Sequence, residues 1–286
     1  MKYTNKKNLP PALVSAVTND PYTKGDSDIS TTTLIGPPRI ACLMHDHDND
    51  IEMDVSEAAF PLIGNNAHAI LERVDTPCIK EQRYFWTNME LGWTLSGQVD
   101  IIENNTLSDY KVTSVYKAQK GMAHDWLAQL NVNAFLAKRQ DIRVDAIQII
   151  AILRDWSVRQ ARQNWTYPDE PIIVIPGDLW DEEITYAYIK ERMNLHKIAR
   201  ASGILPECTD EERWMQPQVF RCMKKGNKMS SKNFPTREQA EEWIASGKDA
   251  EKYHVEEAPK TYNRCELYCL VNKWCDQYQK NPNGTV

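Results

Sequence analysis

The sequence lacks the features of a membrane protein or of a secreted, disulfide-stabilised one. No apolar run among its 286 residues approaches the roughly 18 residues that a membrane-spanning helix needs. The first 33 residues contain neither a long apolar stretch nor a cleavage site typical of a secretory signal. Seven cysteines, an odd number, do not suit a framework of paired disulfides. These absences predict a soluble, cytoplasmic protein with no membrane partner.

The chain also lacks the excess of positive charge that many nucleic-acid-binding proteins carry. Its 34 Lys and Arg residues stand against 40 Asp and Glu, which gives a formal net charge of −6. Net charge governs solubility and steering, whereas binding depends on local patches of charge. Enzymes that hold metal ions through carboxylates share this negative balance, so it does not exclude a nucleic-acid partner.

The pattern of apolar and turn-forming residues divides the chain into three parts. Residues 1–55 show no sustained period and predict a loosely structured arm. Residues 56–205 contain runs in the order helix, three strands, helix, strand, which predicts an α/β fold with a central mixed sheet flanked by helices. Residues 206–286 predict a small α+β region with a basic hairpin, a helix capped by Thr236, and a cysteine cluster.

A predicted β-hairpin places two aspartates beside each other. Asn104-Asn105 separates two strand-like runs, and asparagine tolerates the positive φ that tight hairpin turns require. If these two residues form the turn, Asp100 lies directly across from Asp109 and Gln98 faces Lys111. Residues two apart on a strand share a face, so Asp109 and Lys111 point the same way.

This pairing of acidic residues favours a metal site. Carboxylates directly opposite each other repel and destabilise a sheet, whereas Mg²⁺ and Mn²⁺ prefer oxygen ligands and would neutralise them. A lysine beside such an ion can position an attacking water and stabilise charge that develops on a phosphate. The alternative is a solvent-facing strand with ordinary charges, because the spacing D-x-K is common.

Four motifs in order resemble the RecB-like branch of the PD-(D/E)XK nucleases. The run GQVDII…SDYKVT resembles that branch's core, in which G-x-x-D precedes D-Y-K. Upstream, GNNAHAILE resembles its helix with a metal-binding histidine and a nearby glutamate, here His68 and Glu72. Downstream, AQLNVNAFL resembles its Q-x-x-x-Y helix, with Gln129 as the glutamine and Asn133 where the family usually has tyrosine. The resemblance covers residues 60–155.

The resemblance implies a restriction-endonuclease-like core and a metal-dependent deoxyribonuclease. It favours an exonuclease that acts on single-stranded DNA or duplex ends in phage or bacterial recombination, repair or DNA processing, with recombination or replication proteins as partners. Two alternatives stay open: a non-catalytic DNA-binding or scaffold protein that retains the fold, and a structure-specific endonuclease. The implied site comprises the Mg²⁺ or Mn²⁺ ligands His68, Asp100, Asp109 and the Tyr110 carbonyl, with Lys111, Glu72 and Gln129 as catalytic or supporting residues.

A second site is indicated by three cysteines within the run CELYCLVNKWC. They need one more ligand to complete a tetrahedral zinc site or a cubane iron–sulfur cluster, and spacing alone does not separate the two. Many RecB-like relatives hold a [4Fe-4S] cluster, so the resemblance favours iron–sulfur, in a structural role. Relatives with a lone cysteine before the core favour Cys42 as fourth ligand, whereas a phage-type pattern around PECTDEERW favours Cys208. The preferred set is Cys208, Cys265, Cys269 and Cys275; buried free thiols in a helix are the alternative.

A basic run, RCMKKGNKMSSK, is the main candidate for contact with DNA. It contains five basic residues and no acidic one. A hairpin that presents Lys224, Lys225 and Lys228 would neutralise phosphates without reading the base sequence. A solvated turn is the alternative. Further candidates near the catalytic motifs are Lys117, Lys120, Lys138 and Arg139.

Overall fold

The computed structural model describes residues 1–19, 24–73 and 75–280, with the backbone alone for 59–61, 66, 68, 71 and 72. The chain folds into two units. The first joins Met1–Ala41 to Asp48–Leu205, and the second joins Cys42–His47 to Pro206–Val286. Within the described ranges, no helix combines the length and the apolar character needed to cross a membrane.

Up to residue 205, short elements precede a series of longer ones. The strands are β1 (Lys2–Thr4), β2 (Ile29–Ser30), β3 (Glu52–Asp54), β4 (Ile79–Asn88), β5 (Trp93–Glu103), β6 (Thr106–Thr113), β7 (Ala146–Leu153) and β8 (Ile172–Gly177). The helices are α1 (Pro11–Thr18), α2 (Thr31–Ile35), α3 (Pro38–Asp46), α4 (Ala59–Glu72), α5 (Val115–Ala118), α6 (His124–Lys138), α7 (Val158–Gln163) and α8 (Glu182–Ser202).

The central sheet of the first unit is mixed, as predicted. Its strand order is β2-β5-β6-β7-β8, and β4 also pairs with β5. β6 and β7 run parallel, whereas β5 pairs with β6 and β7 pairs with β8 in antiparallel fashion. Helices flank this sheet, so the fold class is α/β. A parallel pair requires a long crossover, and α5 and α6 provide it between β6 and β7.

The hydrophobic core lies between the sheet and α6. Trp126, Leu130 and Phe135 of α6 are all buried. β7 contributes alternate residues such as Ile147 and Ile149, because successive side chains of a strand point to opposite faces. Each large aliphatic side chain removed from water contributes about 1.5–3 kcal/mol. This packing fixes α6 against the strands that carry the candidate site.

The turn between β5 and β6 has the predicted geometry. Asn104 and Asn105 have φ values of 50° and 59°, the left-handed region that a two-residue hairpin turn requires at both positions. The register follows from this turn: Glu103 pairs with Thr106, and Ile101 pairs with Ser108. The carboxyl half of β5 is therefore held next to the start of β6.

The N-terminal part is more regular than the predicted arm over residues 1–55. β2 pairs in parallel with β5, and the Ser30 side chain caps α2 by accepting a hydrogen bond from the Thr33 backbone at 3.2 Å. Leu34 of α2 is completely buried. The sequence pattern missed these elements because helices and strands of two to five residues are too short to show a period.

Three boundaries differ from those that the sequence pattern predicts. Asn65 or Asn66 is a typical cap for the helix that follows, but α4 already begins at Ala59. The strand-like run 106–116 ends early, because β6 stops at Thr113 and the Ser114 side chain caps α5 by accepting from the Lys117 backbone at 3.2 Å. The helical run 178–202 begins late, because α8 starts at Glu182.

The second unit contains the predicted basic hairpin and helix. In its three-stranded sheet, the central strand Val219–Lys224 pairs in antiparallel fashion with Ser230–Phe234 and with Tyr253–Ala258. Thr236 caps the helix Arg237–Ala245, as predicted, by accepting from the Gln239 backbone at 3.3 Å. Two short turns, Arg264–Tyr268 and Asn272–Trp274, carry the cysteine run. The elements after residue 205 are β9 (Met215–Gln216), β10 (Val219–Lys224), β11 (Ser230–Phe234), α9 (Arg237–Ala245), β12 (Tyr253–Ala258), β13 (Thr261–Tyr262) and α10 (Asp276–Lys280).

Candidate active site

Asp109, Lys111 and Gln129 form one contact cluster on the first unit. The Gln129 Nε2 donates to Asp109 Oδ1 at 2.8 Å, and the Lys111 Nζ donates to Gln129 Oε1 at 3.2 Å. Lys111 Nζ also lies 2.7 Å from Asp109 Oδ2. Asp109 and Lys111 therefore share a strand face, as predicted, and the amide of Gln129 bridges the two charged groups.

The Asp109 carboxylate is buried beside a cation. Its side chain is only 5% exposed, and the Lys111 ammonium lies 2.7 Å from its Oδ2. By geometric criteria this Oδ2 has no hydrogen-bond partner within the described ranges, so the ion pair with Lys111 offsets the cost of burying its charge. Carboxylate oxygens are the ligands that Mg²⁺ and Mn²⁺ prefer, so Asp109 is of the right type for a metal ion.

Lys111 carries its positive charge in this cluster. Burial by itself would lower its pKa, but the carboxylates of Asp109 and Asp100 outweigh burial and raise the pKa above its ordinary value. Lys111 therefore stays protonated across the physiological range. A protonated ammonium can stabilise negative charge and donate hydrogen bonds, but it cannot accept a proton from water.

Asp100 lies next to this cluster but is not paired across the ladder with Asp109. The β5–β6 pairing ends at Ile101↔Ser108. Beyond that point the Asp100 Oδ2 accepts a hydrogen bond from the Tyr110 backbone at 2.8 Å. The predicted register is correct for the turn-proximal pairs and wrong for Asp100↔Asp109, because the side chain of Asp100 takes up a backbone N–H of β6.

The predicted Gln98–Lys111 pair is also absent from the described pairing. Gln98 instead accepts from Arg83 at 2.7 Å and donates to the Glu81 carboxylate at 2.6 Å. Glu81 has a φ of 46° and falls between two paired positions of β4, beside Asp100. The sequence did not predict this carboxylate, because apolar periodicity does not indicate a single glutamate with positive φ inside a strand.

The remaining residues of the implied nuclease site lie on α4. The helix backbone includes His68 and Glu72, four residues apart and therefore on one side of the helix. Their side chains lie outside the described part of the chain. The predicted metal ligand and the predicted supporting carboxylate are thus placed by backbone alone, in a helix that contacts β6.

Asn133 occupies a buried position on α6. It is 3% exposed; its Nδ2 donates to the Gln98 carbonyl at 2.9 Å, and its Oδ1 accepts from Thr31 at 3.0 Å. The side chain joins α2, α6 and β5. A residue used in this way is buried and not available at the surface to contact a ligand.

Three cysteines of the predicted cluster are neighbours in the second unit. Burial raises the pKa of the Cys269 thiol, and the nearby Cys265 and Cys275 raise it further. The backbone of Cys208 is clamped by the Gln277 side chain through two hydrogen bonds of 2.9 Å, two residues beyond Cys275. Cys42 belongs to the same unit, so both candidates for the fourth ligand fold with the other three.

The basic hairpin presents its turn to solvent. Lys224 ends β10 and is half-buried, whereas Lys225 and Lys228 are exposed. The Lys225 backbone donates to the Lys252 carbonyl at 2.8 Å, which holds the base of the turn. The three predicted DNA-contacting lysines thus lie together at one end of the small sheet.

Neither predicted metal centre is arranged as a complete site among the described side chains. No group of three or more His, Cys, Asp or Glu residues within the described ranges surrounds a common point. The donor types nevertheless suit the groups that the sequence implies. Carboxylate and carbonyl oxygens suit Mg²⁺ or Mn²⁺, and thiols suit iron–sulfur clusters or Zn²⁺.

Comparison with known proteins gives little for this chain. No protein-family model matches it, and no curated protein matches it in sequence. A crystal structure of the protein SSO0001 is similar at 15% identity and a TM-score of 0.46, over 65% of this chain and 84% of that one. A likeness at this level says nothing about function.

Proposed function

We propose that this protein is a metal-dependent deoxyribonuclease whose active site is built on Asp100, Asp109 and Lys111. The observation that carries the proposal is the bridged arrangement of Asp109, Gln129 and Lys111, with one buried Asp109 oxygen lacking a hydrogen bond. A buried polar atom without a hydrogen bond calls for an explanation, and a metal ion would supply one. The resemblance to RecB-like nucleases assigns the same three residues.

The residues have separate tasks in this proposal. Mg²⁺ or Mn²⁺ would be held by Asp100, Asp109, the Tyr110 carbonyl and His68. When bound, the ion would supply Lewis-acid assistance to water and phosphate. Lys111 donates hydrogen bonds to the attacking water and to the phosphate oxygens. Gln129 keeps the Lys111 ammonium and the Asp109 carboxylate in fixed positions, and Glu72 supports the site from α4.

The second unit would hold a structural [4Fe-4S] cluster, with Zn²⁺ as the alternative. Cys265, Cys269 and Cys275 supply three thiols, and Cys208 is the preferred fourth ligand over Cys42. The clamp between Cys208 and Gln277 supports this choice, because it fixes the Cys208 backbone against a residue that follows Cys275 by two positions. Phosphodiester hydrolysis needs no electron transfer, so the cluster would tie the C-terminal segments together.

The test of the nuclease proposal is Mn²⁺-dependent release of nucleotides from end-labelled DNA. Asp109→Asn should lose activity by at least about a hundredfold, since it removes a metal ligand. The matched control is Asp145→Asn, which alters an exposed aspartate paired with Arg143 and should leave activity unchanged. Equal release by wild type and Asp109→Asn would contradict the proposal.

A circular single-stranded substrate separates the two modes of cleavage. An exonuclease leaves the circle intact and degrades the linear form, whereas a structure-specific endonuclease cuts a circle that carries the right structure. Tight DNA binding by wild type without any release of nucleotides would favour the non-catalytic, DNA-binding alternative.

A further inference from the structure

A fully exposed tryptophan lies on the first unit, outside the residues that the motifs pick out. Trp165, between α7 and β8, is 94% exposed. Tryptophan is among the costliest side chains to leave in water and usually covers a large apolar area. An isolated ring held this far into solvent is therefore a candidate contact for a ligand.

The backbone around Trp165 is fixed by hydrogen bonds. The Asn164 Oδ1 accepts from the Thr166 backbone at 3.1 Å and from its hydroxyl at 2.8 Å, and the Tyr167 backbone donates to the Asn164 carbonyl at 3.0 Å. Tyr167 in turn accepts from the Ser157 backbone at 3.0 Å through its hydroxyl. The ring of Trp165 is thus presented at the tip of a braced turn, which lowers the entropy cost of using it in binding.

A second exposed aromatic ring lies on α5, which is hydrogen-bonded to the Trp165 turn. The Gln119 side chain, at the end of α5, donates to the Thr166 carbonyl at 2.7 Å and so ties α5 to the Trp165 turn. Tyr116 of α5 is 69% exposed, and the Lys120 ammonium lies 4.3 Å from the centre of its ring. The pair of Tyr116 and Lys120 therefore belongs to a segment that is tied to the residue after Trp165.

Basic residues lie in the same two segments: Lys120 follows α5, and Arg159 and Arg162 belong to α7, which ends two residues before Trp165. These three side chains are exposed and form no ion pair within the described ranges, whereas Lys117 is half-buried and pairs with Asp125 at 3.4 Å. Acidic residues share these segments: Asp169 and Glu170 are exposed shortly after Trp165, and the Asp155 carboxylate accepts from the Val115 backbone at the start of α5.

The surface adjoins the candidate active site along the chain. Lys111 lies two residues before the end of β6, and α5 begins two residues after that end. Lys117 also packs 4.4 Å from the ring centre of Trp126, which is one turn before Gln129 on α6. An extended ligand bound along this surface would reach the candidate active site from the side of α5.

We propose that Trp165 and Tyr116, with Lys120, Arg159 and Arg162, form a binding surface for single-stranded nucleic acid. Aromatic rings that stack on unpaired bases, beside cations that neutralise phosphates, are the recognition mode of such ligands. Paired bases in a duplex do not offer their faces to the rings. The inference extends the proposed nuclease function by naming the form of substrate, and it concerns binding alone.

The test is the affinity of the full-length protein for a fluorescein-labelled dT12 oligonucleotide in EDTA, where no metal-dependent cleavage occurs. Trp165→Ala should weaken binding about tenfold, and Trp165→Phe should recover most of it, since stacking on one ring contributes about 1–3 kcal/mol. The matched control Tyr268→Ala removes another exposed ring, 65% exposed in the second unit, and should leave affinity unchanged. Lys120→Ala and Arg162→Ala should each reduce the salt dependence of binding by about 0.7 in log–log slope.

Three outcomes would overturn the proposal. One is unchanged dT12 affinity in Trp165→Ala. Another is an equal loss for a blunt 12-base-pair duplex, which would show that the ring does not depend on unpaired bases. The third is a concentration-dependent dimer that Trp165→Ala abolishes, which would assign the rings to a second copy of the chain. A U12 oligonucleotide tells RNA from DNA. Because binding is read without metal, an inactive wild type that still binds through Trp165 would refute the nuclease proposal and leave this one standing.

Discussion

The side-chain oxygen of Asn133 lies where a methyl group on residue 97 would have to be. A Cβ added to Gly97 would approach Asn133 Oδ1 to 2.3 Å, Leu136 to 2.6 Å and Thr31 to 2.6 Å. Gly97 is the glycine of the G-x-x-D motif, three residues before Asp100. The motif needs glycine here because β5, α2 and α6 meet without room for any side chain.

Gly97→Ala should therefore destabilise the first unit by about 2–3 kcal/mol, the usual cost of overpacking a dense core. Urea unfolding followed by circular dichroism measures this change. The control is Gly64→Ala on α4, where an added Cβ meets nothing within 4 Å and alanine favours the helix. A Gly97→Ala protein as stable as wild type would show that α6 can move away from β5.

Gln129 should affect catalysis without affecting the binding of DNA. Gln129→Leu removes the donor to Asp109 and the acceptor for Lys111 while keeping a similar volume, so both charged groups lose their fixed positions. Mn²⁺-dependent cleavage should fall about 10–100-fold, as expected when the residue that orients a ligand is lost. The Mn²⁺ concentration for half-maximal activity should rise as well, which a merely structural role of Gln129 would not cause.

The control for this experiment is Gln140→Leu, just after α6, where the side chain makes only a 3.4 Å contact with the Phe85 carbonyl. It should cleave like wild type. If Gln129→Leu retained wild-type activity and metal dependence, Gln129 would be a packing residue only.

His196 should make the first unit less stable as the pH falls. Its Nε2 lies 3.2 Å from both the Leu34 and the Gly36 carbonyls at the end of α2. Burial, with a smaller contribution from the Arg192 charge, lowers its pKa to about 4 from 6.5. Because the unfolded chain binds a proton at higher pH than the folded one, stability is fully present above pH 6.5 and declines towards pH 4.

The expected loss attributable to His196 between pH 6.5 and 4.5 is about 2 kcal/mol. His196→Gln keeps a side-chain donor for the α2 carbonyls but does not titrate. Urea unfolding of both proteins at several pH values should give a shallower decline for the variant. Parallel curves would show that other groups cause the acid sensitivity.

The cysteines should give the purified protein a colour. Anaerobic preparation should show broad visible absorption of an iron–sulfur cluster, and Cys269→Ser should remove it together with the bound iron. Cys78→Ser, on the first unit and outside the predicted set, should leave the spectrum unchanged. A colourless wild type with one equivalent of zinc would replace the cluster with the zinc alternative.

Much of the fold was predictable because its long elements have clear periods. The strongly apolar run 144–153 predicted β7, and apolar residues at helical spacing within 122–139 predicted α6, each within two residues of its observed bounds. Asn104-Asn105 predicted both the turn and the first pairs of the hairpin. These features depend on residues that are neighbours in the sequence, so the sequence alone predicts them.

The details of the site depended on non-local contacts. Asp100 leaves the predicted pairing because its carboxylate accepts a hydrogen bond from the Tyr110 N–H. Gln98 contacts β4 because Arg83 and Glu81 form hydrogen bonds with its side chain. No spacing rule states which side chain will replace a backbone partner. The exposure of Trp165 was equally hidden, since a tryptophan in a sequence is expected in a core.

The second unit draws one short segment, Cys42–His47, from early in the chain. The His47 ring stacks on Trp274 at 4.2 Å between centres. A fragment that begins at residue 206 would therefore lack part of its own packing and should express poorly. During synthesis on the ribosome, residues 42–47 emerge long before Trp274 and have no packing partner until it is made. The second unit can therefore fold only after nearly the whole chain has been synthesised.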